Sequence, residues 1–146
     1  EALRAAKRDD EAQKVEAELA ARGSNDDPRT FAIYLATRNE RTEGAAIALK
    51  LAEEEMKNRH DVFTLDALAW ARSASAKTQE DWDEAWKTMQ SALTTGTQDA
   101  RLFFHAAVIA AKSGQTTRAR QYSKQALALQ MVLLPSEKNR LRQLKL

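Results

Sequence analysis

The sequence has 146 residues, of which 23 are Lys or Arg and 21 are Asp or Glu, so its formal net charge is +2 at pH 7. It contains no cysteine, which excludes disulfides, iron–sulfur clusters, thiolate zinc sites and cysteine nucleophiles. No apolar run approaches the roughly 20 residues of a membrane span, so we expect no membrane association. The first residue is Glu1 rather than Met, and we expect a piece or a processed product of a longer protein, either cytoplasmic or exported.

The composition favours helices. Only 4 Gly and 2 Pro are present, and strong helix formers such as Ala, Leu, Glu, Lys, Arg and Gln dominate. Charge is divided along the chain: residues 1–100 carry 14 basic and 20 acidic side chains, a net charge of −6, whereas residues 101–146 carry 9 and 1, a net charge of +8. The sequence therefore predicts an all-α protein with an acidic and a basic end.

Apolar periodicity predicts helices separated by short turns along the whole chain. In order, they span 1–22 with a break near 7–10, 28–38, 43–58, 61–76, 80–93, 99–113, 116–129 and 136–145. Turns are predicted at 24–28, 39–42, 77–80 and 94–97.

Capping residues mark several of the predicted boundaries. Asp27 and Asp61 are suitable N-caps, Asp99 is predicted to begin its helix, and Ser136 is the predicted N-cap of the last helix. Gly23 is the predicted C-cap of the first helix. Within the helix 43–58, the residues expected on the inner side are Ala45, Ala46, Leu49 and Ala52.

The strongest internal pattern is a repeat over 61–130. Each half reads as a helix, a turn and a second helix, and Ala85 and Ala119 occupy matching places 34 residues apart. The pattern extends upstream to Ala45 and Ala12, with spacings of 40 and 33 residues. A repeat of this period indicates a stacked array of helix pairs, in which the small residues lie where two helices approach most closely.

These residues resemble the motif of the tetratricopeptide repeat, a family with two antiparallel helices in about 34 residues. The corresponding sets are Ala107, Ala119, Ser123 and Ala126; Ala69, Ala85, Met89 and Ala92; and Ile33, Ala45, Leu49 and Ala52. Ser123 departs from the motif, and neighbouring Tyr122 would fill its space. Other α-solenoids and a plain helical bundle are the rival folds.

The resemblance implies one domain, 1–146, forming an all-α, right-handed α-solenoid of about three and a half repeats. Its parts would be a partial repeat at 1–23, repeats at 28–58, 61–94 and 99–130, and a terminal helix at 136–145. The degenerate form of the repeats suggests a bacterial protein.

The resemblance also implies a peptide-binding concave face lined by the first helix of each repeat. Its expected residues are Tyr34, Asp66, Trp70, Ser73, Arg101, Phe104, Val108 and Lys112. Aromatic and Arg side chains are typical anchors of binding surfaces. The alternative is that Trp70 and Tyr34 fill the superhelix or contact sequence outside this chain. Only Arg101 and His105 suit a carboxylate clamp for chaperone tails, which we do not expect.

No pattern of catalytic or metal-binding residues occurs. His60 and His105 are the only histidines, and they lack the companions that a zinc site needs. We expect His105 to pack beside Phe104. Contiguous acidic residues, such as 53–55, fan outwards on a helix and are expected to be solvated. We therefore expect no enzyme, cofactor or metal.

The sequence leads to three hypotheses about function. The first is a scaffold for a peptide or protein segment, in which Trp70→Ala and Arg101→Ala would abolish capture of the partner and leave helicity intact. The second is a structural or self-associating module, with acidic and basic ends meeting in a homo-oligomer. The third and most remote is nucleic-acid binding through the basic end, which otherwise is expected to be a solvated capping helix. That end contains Arg118, Arg120, Lys124, Lys138, Arg140, Arg142 and Lys145.

Overall fold

Helices alone form the regular structure of the part of the chain described by the computed structural model, residues 1–38, 43–144 and 146. They are α1 (Ala2–Ala5), α2 (Asp9–Asp26), α3 (Pro28–Arg38), α4 (Glu43–Asn58), α5 (Val62–Ser75), α6 (Gln79–Leu93), α7 (Ala100–Lys112), α8 (Thr116–Ala128) and α9 (Pro135–Gln143). A short 3-10 helix, Gln130–Val132, precedes α9. The all-α prediction is confirmed for these ranges, whereas the predicted turn at 39–42 and Lys145 lie outside them.

Polar caps explain where several helices begin. The Asp61 carboxylate accepts a hydrogen bond from the Thr64 N–H at 2.9 Å, and Asp27 accepts one from the Thr30 N–H at 3.1 Å. The Asp99 carboxylate accepts the N–H groups of the first turn of α7. Each carboxylate satisfies backbone donors that the helix itself leaves without partners. The two predicted aspartate caps, Asp27 and Asp61, are confirmed, and Asp99, which was predicted to begin its helix, is the N-cap of α7.

The first predicted boundary differs in position. The break near 7–10 is present, with Lys7 at φ +58°, but α2 continues through Gly23 to Asp26. Gly23 is therefore not a C-cap, and that prediction is wrong. A Cβ atom at this position would lie 2.7 Å from the Phe31 ring. Glycine is required here because α3 crosses α2 so closely.

Two further predictions need correction. Ser136 is not the N-cap of α9, because the helix begins at Pro135 and Leu134 precedes it in the cap position. Ala46 is exposed, whereas Ala45, Ala48 and Ala52 form the buried stripe of α4. The buried alanines recur every three or four residues, which is the period of one helix face.

Consecutive helices pack as neighbouring pairs, α3 with α4, α5 with α6 and α7 with α8. The helix α5 lies at the centre and contacts α3, α4, α6 and α7. The paired alanines of the repeat, Ala69 with Ala85 and Ala107 with Ala119, are fully buried. Methyl groups at these buried places add little side-chain volume within the packed helix pairs.

Aromatic side chains fill the space at the end of the stack. Tyr122 on α8 stacks on Phe103 with ring centroids 6.0 Å apart, and it lies 6.2 Å from the ring of Trp86. Its neighbour Ser123 is buried. Tyr122 thus packs between α6 and α7 beside the buried Ser123. None of the helices in the described ranges is both long and apolar enough to cross a membrane.

Candidate binding face

One face of the helix pair α5 and α7 gathers polar and aromatic side chains from several elements. On α5, Asp66 and Trp70 are four residues apart, and on α7, Arg101 and His105 have the same spacing. Residues four apart lie one above the other on a helix. We call the surface formed by Asp66, Trp70, Arg101, Phe104 and His105 the Trp70 face.

The indole of Trp70 is the centre of this face. It stacks on the imidazole of His105, with ring centroids 4.2 Å apart and planes inclined by 19°, and the Phe104 ring lies at 5.6 Å. Its Nε1–H donates a hydrogen bond of 3.0 Å to the hydroxyl of Thr37 on α3. Trp70 therefore joins three successive first helices of the predicted repeats, α3, α5 and α7.

A buried polar pair supports the ring stack. The Nδ1 atom of His105 lies 2.8 Å and 3.0 Å from the two carboxylate oxygens of Asp66. Both side chains are almost fully buried. Buried polar groups are strongly unfavourable unless they are hydrogen-bonded, so each partner accounts for the presence of the other. The pair also fixes the orientation of the imidazole under Trp70.

The last helix lies over the Trp70 face. The guanidinium of Arg140 is 5.1 Å from the centroid of the Trp70 ring, and the Glu137 Oε1 atom is 3.0 Å from Nε of Arg101. Leu141 on the same helix is only 3% exposed and belongs to the hydrophobic core. The last helix is therefore amphipathic, with Leu141 on its buried side, and Arg140 of the basic end contacts Trp70 instead of being solvated.

The start of α9 also contacts the N-terminal residue. The carboxylate of Glu1 accepts hydrogen bonds from the Ser136 N–H at 3.0 Å and from its hydroxyl at 2.6 Å. This contact explains why Ser136, the predicted cap, is engaged elsewhere. A carboxylate at the N-terminus of a helix is also favoured by the helix dipole.

The structure separates the eight predicted face residues into groups. Trp70, Asp66, Phe104 and Arg101 come together as described. Ser73 and Val108 are buried, and the Ser73 hydroxyl donates to the Trp70 carbonyl at 2.7 Å. Lys112 is exposed at the end of α7. Tyr34 stacks on Phe31 with centroids 6.1 Å apart and receives the guanidinium of Arg38 over its ring.

The exposure of Trp70 decides how it can act. Its side chain is 1% exposed while α9 is in place. Trp70 is thus a core residue that also contacts α9, and it is not an exposed anchor for a ligand. The polar rim of the face is more accessible, since the side chain of Arg101 is 45% exposed.

A cleft of about 160 Å³ opens beside the face. It shares Asp66 and Arg101 with the face, and Asp99 and Arg29 bring further charges. Phe63, which carries the Arg29 guanidinium at 5.8 Å from its ring centroid, supplies an apolar wall. The cleft therefore combines charged groups with an apolar wall.

Sequence reasoning missed three residues of this site. His105 was assigned to packing only, although its position four residues after Arg101 places it on the same helix face. Arg140 was assigned to the basic end, and Glu137 was assigned no role. The four-residue spacing of Glu137 from Leu141 is the available signal that Glu137 lies on the buried side of the last helix.

Other candidate chemistries have little geometric basis in the described residues. No group of three or more His, Cys, Asp or Glu side chains within them is arranged to hold a metal ion. His60 is exposed between α4 and α5. From the basic end, Arg118, Arg120 and Lys124 are exposed on α8, whereas Arg140 lies on Trp70.

No family model, curated protein or solved structure matches the chain.

Proposed function

We propose that this protein is a non-enzymatic interaction scaffold that binds a peptide or protein segment on the Trp70 face. One observation carries the proposal: this face already receives a helix from another part of the chain. The contacts to α9 combine an ion pair, a cation over an aromatic ring and a buried leucine. These are the contacts with which helices bind in the grooves of partner proteins.

The composition of the face suits protein recognition. Trp and Arg are the side chains that most often dominate binding energy at protein interfaces. A guanidinium over an indole contributes about 0.5–2 kcal/mol, depending on how far it is desolvated. The ion pair between Arg101 and Glu137 is partly exposed, so it contributes mainly to orientation and selectivity.

The repeat pattern supports the same proposal. Stacked helix pairs present their successive first helices along one surface, and such surfaces bind extended stretches of protein. Here α3, α5 and α7 are linked through Thr37, Trp70 and His105. The right-handed solenoid and the membership in the tetratricopeptide class belong to this proposal as expectations from the sequence.

Charge reversal on the rim of the face tests the proposal. A display library of random peptides is selected on the parent chain, and the selected peptides are then titrated into Arg101→Glu and Lys112→Glu variants. Lys112 is exposed, whereas Arg101 pairs with the buried Glu137, so circular dichroism and thermal melting establish that both variants fold before the titrations. A matched control, Lys124→Glu on the exposed side of α8, changes the net charge equally. We expect weaker binding by the Arg101 variant, and parent-like binding by the control and by the Lys112 variant, since Lys112 lies at the end of α7 and outside the Trp70 face.

Two results would contradict this function. One is a selection that yields no binding peptide. The other is binding that all three variants share with the parent, because such peptides would bind elsewhere on the chain.

A second candidate function is self-association, and an exposed apolar segment favours it. Met131 is 89% exposed and Val132 is 67% exposed, and both line a cleft of about 450 Å³ together with Leu129. Large exposed apolar side chains in one segment are typical of interaction sites. Burial of this segment against a second copy would bring the basic C-terminal part of one molecule near the acidic N-terminal part of the other, given the opposite net charges of the two parts of the chain.

Sedimentation velocity distinguishes this second candidate. We expect oligomers that grow with protein concentration and weaken with salt, and that Met131→Lys/Val132→Lys reduces to monomers. A parent chain that stays monomeric at high concentration and low salt would remove the candidate.

A further inference from the structure

We infer that the ligand of the Trp70 face is an amphipathic helix with the side-chain pattern of α9, and that it binds by displacing α9. This inference rests on the proposed function and specifies the chemistry of the partner. The pattern begins with a carboxylate in the first helical turn. Counted from that carboxylate, a guanidinium follows after three residues, and leucines follow after four and seven residues. In α9 and the residue after it, these are Glu137, Arg140, Leu141 and Leu144.

Each position of the pattern has a complementary group on the protein. Glu137 pairs with Arg101, and Arg140 lies over the Trp70 ring. Leu141 is buried in the core, and Leu144 is partly buried against it. Positions separated by three, four and seven residues lie on one side of a helix, so a single helix presents all four groups together.

The carboxylate position explains why the ligand should be helical. One oxygen of Glu137 contacts Nε of Arg101 at 3.0 Å, while the other accepts the Leu134 N–H at 2.7 Å. The same side chain thus stabilises the first turn of the helix and joins that helix to the face. An extended strand would not present its backbone N–H groups to such a carboxylate.

The way in which α9 is held makes displacement feasible. It has only nine residues, and isolated helices of that length are marginal in water. Its ion pair with Arg101 is partly exposed, and the preceding segment is exposed at Met131 and Val132. Tethering gives α9 an effective concentration of the order of millimolar, so a ligand in trans has to compete with it.

A peptide and two forms of the full chain test the inference. The peptide carries the sequence of residues 133–146, and a control peptide has the same composition with the Glu, Arg and Leu positions permuted. The first form is the parent. The second is an Arg140→Ala/Leu141→Ala variant, in which α9 has lost two of its contacts. Circular dichroism and thermal melting check the folding of the variant, and Arg140→Ala alone replaces it if its melting is not cooperative.

The absence of native cysteine permits a direct measurement of α9 itself. Asn139 is exposed on α9, so Asn139→Cys accepts a spin label without disturbing the packed side. In the parent background the label is expected to be partly immobilised. Addition of the peptide at high concentration should convert it to a mobile spectrum, since α9 leaves the face when the peptide binds.

We expect the α9 peptide to bind the weakened variant at least about tenfold more tightly than the parent. In the variant, the tethered α9 competes less strongly for the Trp70 face. The permuted peptide should bind neither. Equal binding of both peptides, or no binding of the α9 peptide to the variant, overturns the inference. A label that stays immobile in the parent when the peptide is bound overturns displacement.

These failures are distinguishable from failure of the proposed function. If the display-selected peptides bind in an Arg101-dependent manner but lack the α9 pattern, the scaffold stands and the inferred ligand class is wrong. If no selected peptide depends on Arg101 and the α9 peptide also fails to bind, both fail.

Discussion

The carboxylate of Asp66 and the imidazole of His105 lie 2.8 Å apart between α5 and α7, directly beneath the indole of Trp70. The pair connects two helices that belong to different predicted repeats. The pair is nearly inaccessible to water. Replacement of one member therefore leaves the other buried without a hydrogen-bond partner.

We predict strong coupling between these two residues. His105→Phe retains a ring under Trp70 but leaves the Asp66 carboxylate without its partner, and we expect it to lower the free energy of unfolding by about 3 kcal/mol. Asp66→Ala in the same chain should recover part of that loss. Urea unfolding of the parent, both single variants and the double variant measures the coupling. Additive effects within about 0.5 kcal/mol would show that the two side chains act independently.

Trp70 is predicted to control stability as well as binding. Trp70→Ala removes a fully buried ring, and we expect a loss of about 3–5 kcal/mol in the free energy of unfolding. This replaces the expectation from the sequence that the substitution spares the fold. Trp70→Phe keeps an aromatic surface for Arg140 and loses mainly the hydrogen bond to Thr37, so its loss should be smaller. Thermal unfolding measures both, and equal melting temperatures for parent and Trp70→Ala would contradict the buried position.

Gly23 provides a test of the close approach of α2 and α3. Alanine is the better helix former by about 1 kcal/mol, yet we expect Gly23→Ala to destabilise the protein because its Cβ would overlap the Phe31 ring. In a Phe31→Leu background the same substitution should be less harmful. Ser24→Ala, at an exposed position of α2, is the matched control. A stabilising effect of Gly23→Ala in the parent would mean that the helices separate without cost.

The cap of α5 is predicted to make stability depend on pH at acid values. The hydrogen bond from the Thr64 N–H holds the pKa of Asp61 below its ordinary value, against the opposing effect of partial burial. Because the pKa is lower in the folded state, the carboxylate stabilises the fold at pH values above the ordinary pKa of about 3.9. This stabilisation is lost as the pH falls through the lower, folded pKa.

Substitution of the cap separates its titration from its hydrogen bond. Asp61→Asn keeps an acceptor for the Thr64 N–H but has no charge, so we expect a flatter decline of melting temperature between pH 5 and 2 (about the range over which an aspartate titrates). Asp61→Ala loses the cap and should cost about 1 kcal/mol at neutral pH. If the acid decline of Asp61→Asn is as steep as that of the parent, other carboxylates account for it.

Much of the local structure was predictable because the signals lie within a few residues of each other. Helices begin next to Asp27, Asp61 and Asp99, because a short acidic side chain accepts hydrogen bonds from the N–H groups of the following turn. The same proximity misled the interpretation of Gly23 and Ser136. Each has a residue type suited to a cap, but a distant group, Phe31 in one case and Glu1 in the other, determines its role.

The candidate site was predictable in part. The repeat aligned Trp70, Arg101 and Phe104 on one surface, and the structure brings them together. The repeat pattern could not reveal that Arg140 and Glu137 cover that surface. These residues follow Trp70 by 70 and 67 positions, and no periodic pattern connects them with it.

Helical content, most helix boundaries and the pairing of neighbouring helices could be predicted from the sequence, since composition, caps and apolar periodicity act over one or two turns. The folded structure was needed to show that His105 binds Asp66, that α2 continues past Gly23, and that α9 lies over Trp70. Those outcomes depend on contacts between groups distant in the chain. Their free energies arise from burial and from electrostatics in a shared, dry environment, which no local pattern of residues encodes.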